Sequence, residues 1–137
     1  MKRQILLFLL TFVIAQSAQA FMQQKNIPLT TALAKTQLKI VDIRREEEWQ
    51  QTGIVEGSYT ITFFNKNGEF NMNDFVKKLS KVVGKDETFA IICRTGHRTG
   101  IAVQYLHQAG YTNVINLKGG ITEAVQNGVP LVKYNKR

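Results

Sequence analysis

The chain has 137 residues, a formal net charge of +8 and a single cysteine. That length suits one compact domain with a real core and is short for two, and one cysteine excludes an internal disulfide. The Lys and Arg residues are scattered, with no basic block or aromatic-interleaved stripe. This argues against nucleic acid as a partner and leaves a small anion as the one that suits the charge.

"MKRQILLFLLTFVIAQSAQA" opens on Lys2 and Arg3, continues as an uncharged run from Ile5 to Ala15, and ends in Ala18-x-Ala20. A basic start, a short apolar stretch and a small-residue cleavage site describe a secretory signal peptide. The apolar run of 11 residues is well short of the roughly 20 that span a bilayer. The reading is therefore a cleaved signal at residues 1–20 and one domain over residues 21–137. The mature protein is expected in the periplasm or outside the cell, with no membrane attachment. Loss of Lys2 and Arg3 lowers the net charge by two and leaves it basic. Exported proteins usually hold their cysteines as disulfide pairs, so a lone one is either a reactive thiol or a buried inert one.

Beyond the signal the periodicity switches between short β-branched runs and amphipathic stretches. "LKIVDIR" (38–44) reads as a largely buried strand, and "REEEWQQTG" (45–53) as a short helix closed by Gly53. "SYTITFF" (58–64) alternates like a strand. "NMNDFVKKLSKVVG" (71–84) sets Phe75, Val76, Leu79, Val82 and Val83 on one helical face and stops at Gly84. "TFAIIC" (88–93) is a buried strand; "RTGIAVQYLHQAG" (98–110) puts Ile101, Ala102, Tyr105, Leu106 and Ala109 at helical spacing. "NVINL" (113–117) is a third buried strand, and "KGG" leads into a short helical stretch through Val125. Strands alternating with helices in so short a chain predict a three-layer α/β domain with a mostly parallel sheet. Ligands of such sheets bind beyond the carboxyl ends of the strands, where Cys93 stands.

Cys93 to Thr99 reads as a strand-to-helix loop, "CRTGHRT". Successive N–H groups in a tight loop form a cradle for an anion, and a helix N-terminus adds partial positive charge. Gly96 permits the curl, and Arg94 and Arg98 add permanent cations. These features favour the thiolate, the form that attacks. Against this stands a strand-end cysteine that is simply a small buried hydrophobe. Cysteine-dependent phosphatases require C-x5-R, but Thr99 occupies that position here; Arg98 comes one residue earlier and closes a tighter six-residue loop. A smaller ring suits a thiol carrying one extra sulfur better than a phosphate.

Over nearly all of residues 21–137 the sequence resembles the rhodanese family of sulfurtransferases. "CRTGHR" is similar to the family's catalytic loop, "IVDIRREEEWQQTGIVEGS" (40–58) to its first motif, and "NVINLKGGITEAVQNGVP" (113–130) to its closing motif with paired glycines. The departures are Ile54 for a common histidine, Glu56 for a proline and Ala124 for a tryptophan. The resemblance implies a two-step transfer. The Cys93 thiolate takes the outer sulfur of a donor such as thiosulfate, sulfite leaves, and a thiol or cyanide acceptor then removes the sulfur from the Cys93 persulfide. It also implies a substrate cradle of Arg94, Thr95, Gly96, His97, Arg98 and Thr99, whose N–H groups stabilise the persulfide anion.

Arg98 has the planar fork that fits a sulfonate; Arg94 is either a substrate contact or solvated surface; His97 on the rim is a donor-selectivity residue, and His107 is surface or packing. One cysteine and these two histidines fall short of the four ligands a structural zinc takes, so no metal and no cofactor are expected. Asp42 and Arg44 read as a structural ion pair with the helix that follows, Trp49 as core or cover, and Glu46, Glu47 and Glu48 as favourable charges near a helix start. A competing function is a sulfur carrier that acts with an accepting protein partner and turns over little on its own. A phosphatase or arsenate reductase is disfavoured by Thr99.

Overall fold

The computed structural model describes residues 25–136; the expected signal peptide lies outside the described residues. Five strands form the main sheet: β1 (Asn26–Pro28), β2 (Lys39–Asp42), β4 (Tyr59–Thr60), β5 (Phe89–Ile92) and β6 (Val114–Lys118). They lie in the order β1-β6-β5-β2-β4, and every neighbouring pair is parallel. A second, antiparallel pair joins β3 (Ile54–Val55) to β7 (Leu131–Val132). The helices are α1 (Thr31–Ala34), α2 (Glu46–Thr52), α3 (Met72–Leu79), α4 (His97–Gln108) and α5 (Gly120–Gln126). The three-layer α/β architecture with a parallel central sheet matches the expectation.

The alternation of side chains explains how the sheet is covered on both faces. Phe89, Ile91 and Cys93 point to one side with Val41 and Ile43, where Phe75 and Leu79 of α3 and Ala102 and Leu106 of α4 meet them. Ala90 and Ile92 point to the other side with Ile40, against Leu29, Ile121 and Ala124. All four residues of β5 are fully buried, each large one contributing about 1.5–3 kcal/mol. Cys93 therefore belongs to the core facing α4, although it stands one residue past the strand.

Two elements are shorter than the periodicity predicts. The strand expected over residues 58–64 is ladder only at Tyr59–Thr60. Beyond that, Ile61 N–H still donates to Asp42 O at 3.0 Å and Phe63 N–H to Ile43 O at 3.1 Å, while the Thr62 hydroxyl donates to Arg44 O at 2.9 Å. Side-chain competition for that carbonyl loosens the ladder, yet Ile61 and Phe63 stay buried. The helix expected over residues 71–84 starts as predicted, with Asn71 Oδ1 accepting from Asp74 N–H at 3.0 Å, but ends at Leu79. There the Ser80 hydroxyl donates back to Lys77 O at 3.0 Å, a bond that favours termination. A tight turn follows, with Val83 N–H on Leu79 O at 3.0 Å; it buries Val83 and leaves Val76 and Val82 half-buried. Tyr105 likewise lies toward solvent, 37% exposed, rather than in the core stripe of α4.

Candidate functional site

The C-terminal end of β5 turns directly into α4 through residues 93–96. Gly96 caps α4 with φ 95°, a left-handed conformation that glycine adopts without a Cβ penalty. The turn brings the Gly96 N–H back onto the strand end, where it donates to Cys93 Sγ at 3.1 Å. Thr99, fully buried in the first turn of α4, sets its hydroxyl 3.6 Å from the same sulfur and donates to Gly96 O at 3.1 Å. The thiol thus sits under the N-terminus of a 12-residue helix, whose free N–H groups and dipole favour negative charge.

The loop is held from behind by α5. Ile121 N–H donates to Cys93 O at 2.9 Å and Thr122 N–H to Arg94 O at 3.1 Å, so two orphan donors of the α5 N-terminus are satisfied by the loop itself. This contact needs glycine: a Cβ on Gly120 would lie 2.3 Å from Cys93 O, and one on Gly96 would lie 3.0 Å from Gly119 N. The paired glycines let two backbones touch.

Arg98 leans across the site to α2. Its two terminal nitrogens donate to the two carboxylate oxygens of Glu48 at 2.7 and 2.6 Å, a bidentate pair of the strong kind. Glu48 also accepts from Arg45 N–H at 3.0 Å. Burial pushes the Glu48 carboxyl up, but the Arg98 hydrogen bonds, the Arg45 N–H and the two positive charges outweigh it and hold the group at about 2. The same pair raises the Arg98 guanidinium above its ordinary value against the opposing effect of burial.

The family profile described as a rhodanese-like domain matches residues 28–127. The chain belongs to the rhodanese-like domain family. A protein of Arabidopsis thaliana named thiosulfate sulfurtransferase 16, chloroplastic, is 29% identical over 94 residues, covering 67% of this chain and 78% of that one. A protein named sulfurtransferase from Allochromatium vinosum is 44% identical over 50 residues, 36% of this chain and under half, 47%, of its own length. The crystal structure of a rhodanese-related protein from Thermoplasma volcanium aligns with TM-score 0.54 at 26% identity, covering 71% of this chain and 85% of that one. Membership in this family, with relatives named as sulfurtransferases, supports sulfur transfer at the level of the family.

Within this rhodanese-like loop the predicted residues divide into two sets. Cys93, Gly96 and Thr99 meet at the sulfur, whereas Arg98 is turned to Glu48 and Arg94, Thr95 and His97 stand exposed on the rim. Cys93 itself is 1% exposed, enclosed in the core cluster that it shares with Ala102 and Leu106 of α4. His97 opens α4 and His107 lies in its last turn, too far apart to share a ligand. Asp42 and Arg44 form the expected structural pair. Both are fully buried; the guanidinium grips Asp42 at 2.8 to 3.1 Å and reaches Thr52 Oγ1 at 2.8 Å and Gly53 O at 2.9 Å. It ties the end of β2 to the end of α2, which carries Glu48. Trp49 is buried as predicted.

Glu48 is the residue whose role the local reading misses. As one of three acids in the first turn of α2 it reads as a dipole partner, and nothing in its spacing marks a pair with an arginine 50 residues on.

Proposed function

We propose that this chain is a thiosulfate sulfurtransferase acting through a Cys93 persulfide. The observation that carries this reading is the Gly96 N–H aimed at Cys93 Sγ under the α4 N-terminus, an arrangement that stabilises an anionic sulfur without a general base. The Cys93 thiolate attacks the outer sulfur of thiosulfate. The bond between that sulfur and the sulfonate sulfur breaks, its electron pair leaves with sulfite, and a persulfide remains. A cyanide or thiolate acceptor then attacks the terminal persulfide sulfur, giving thiocyanate or an acceptor persulfide and returning the Cys93 thiolate.

The loop N–H groups receive the donor together with the rim residues Arg94, Thr95 and His97. With both terminal nitrogens on Glu48, Arg98 contributes its charge and an Nε–H that makes no hydrogen bond among the described residues. Thiocyanate formation from thiosulfate and cyanide tests the proposal. Turnover by wild type that disappears in Cys93→Ser is the expected result; an inactive wild type, or an equally active variant, refutes it.

The near-complete burial of Cys93 favours a second reading, a sulfur carrier that shelters its persulfide for a protein acceptor. A stable mass gain of one sulfur atom after thiosulfate, with negligible thiocyanate, selects the carrier. The order of charge, apolar run and Ala18-x-Ala20 at residues 1–20 supports export of residues 21–137 as one domain to the periplasm or beyond. Expression with cell fractionation and N-terminal sequencing checks it: a mature chain starting at Phe21 is expected, and an uncut cytoplasmic chain overturns it.

A further inference from the structure

β4 is the outermost strand of the main sheet, bonded to β2 on one side only. Beside its open edge runs a groove of about 780 Å³, bounded by residues 56–61, the turn after α3, and the tail that follows β7. Its floor is apolar: Tyr59 and Val132, 38% and 37% exposed, are two of the four large hydrophobic side chains that the described residues leave open to solvent. Trp49 also lines it, with the ring of Tyr134 tilted against it at 5.3 Å. Trp49 is only 5% exposed, yet its Nε1–H has no acceptor among the described residues, unusual for a buried indole.

The rim is basic. Lys78 and Lys136 are answered by Asp74 and Glu46, but among the described residues Lys81 and Lys133 form no ion pair, and Glu56 is the one carboxylate that lines the groove. An open sheet edge, an apolar floor and two cations without a counter-ion among the described residues describe a site for an extended chain whose side chains alternate between apolar and acidic. Backbone groups would extend the sheet, one face would cover Tyr59 and Val132, and carboxylates would meet the lysines.

We propose that this groove docks an extended acidic segment of a partner protein, added along the β4 edge. In the sheet order β2 separates β4 from β5, and Cys93 follows β5, so docking and sulfur transfer are separable. Trp49 is the chain's only tryptophan, and its emission reports the groove directly. The full chain is titrated at low salt with a synthetic peptide of alternating Glu and Val, beside a Lys–Val peptide, an oligonucleotide and anionic lipid vesicles.

A saturable change with the Glu–Val peptide is expected. It weakens about tenfold in Lys81→Glu/Lys133→Glu and as salt rises, and it is lost when alternate peptide nitrogens are methylated. The double variant keeps its thermal transition and its thiocyanate activity. Equal binding by the variant, equal binding of the Lys–Val or methylated peptide, no saturable change, or a preference for the oligonucleotide or the vesicles overturns the proposal.

Discussion

The Thr99 hydroxyl has one proton and two acceptors near it, Gly96 O at 3.1 Å and Cys93 Sγ at 3.6 Å. Gly96 O also receives the Gly100 N–H at 3.1 Å, so that carbonyl remains satisfied if the hydroxyl proton turns to the sulfur. A charged sulfur draws it more strongly than a neutral thiol, because hydrogen bonds to ionised groups are worth about 1.5–3 kcal/mol against roughly 1 for neutral ones. Thr99→Val keeps the shape and removes that donor. Persulfide formation in a single-turnover experiment is expected to slow by about tenfold to a hundredfold, with little change in the thermal transition. Thr99→Ser restores most of the rate. An unaltered rate in the valine variant means that the Gly96 N–H suffices alone.

At the scale of elements, the Cys93 loop is a product of two helix starts that meet back to back. The start of α4 supplies the Gly96 N–H on the sulfur, and α5 fixes the loop through the carbonyls of Cys93 and Arg94. Gly120 has φ +57° and no room for a Cβ, so Gly120→Ala combines backbone strain with a collision against the loop. A loss of about 2 kcal/mol or more in urea unfolding is expected, together with impaired sulfur transfer. Gly57 is the control: its φ of +76° is equally left-handed, but nothing lies within 4 Å of the added Cβ. Gly57→Ala should cost about 1 kcal/mol and leave turnover intact; equal damage from both variants removes the case for the α5 contact.

This pairing of helices also marks how far the sequence could be read. β2, β5 and β6 were legible because both faces are covered and their apolar runs are continuous, and Gly96 and the paired glycines were legible as backbone punctuation. The short β1 and α1 and the β3–β7 pair carry too few residues for any period to register. Their stability comes from packing, as Leu29, Val55 and Leu131 join the core beneath the sheet. The partner of Arg98 was hidden for a different reason: a pair spanning 50 residues exists only once α2 and α4 stand side by side.

For the whole molecule that same pair sets the response to acid. Glu48 titrates at about 2 in the folded chain, below its ordinary 4.5, so the folded state holds this proton less readily than the unfolded state. Stability from the pair is therefore fully present above the ordinary carboxylate range and is lost as pH falls through it toward about 2. Glu47 and Glu87 are shifted in the same direction by Lys66 and Lys39, but on the exposed surface, where such pairs contribute little. Glu48, at 16% side-chain exposure against 20% for Arg98, is expected to govern the acid limb. Urea midpoints measured from neutral pH down to about 3 are expected to fall in wild type and to stay flatter in Glu48→Gln, which begins less stable because Arg98 has lost its counter-charge. Parallel curves for the two proteins would assign the acid limb to other carboxylates. Because Arg98 is anchored through Glu48 to α2, and α2 through Arg44 to the end of β2, acid that releases this anchor should also depress sulfur transfer before the chain unfolds.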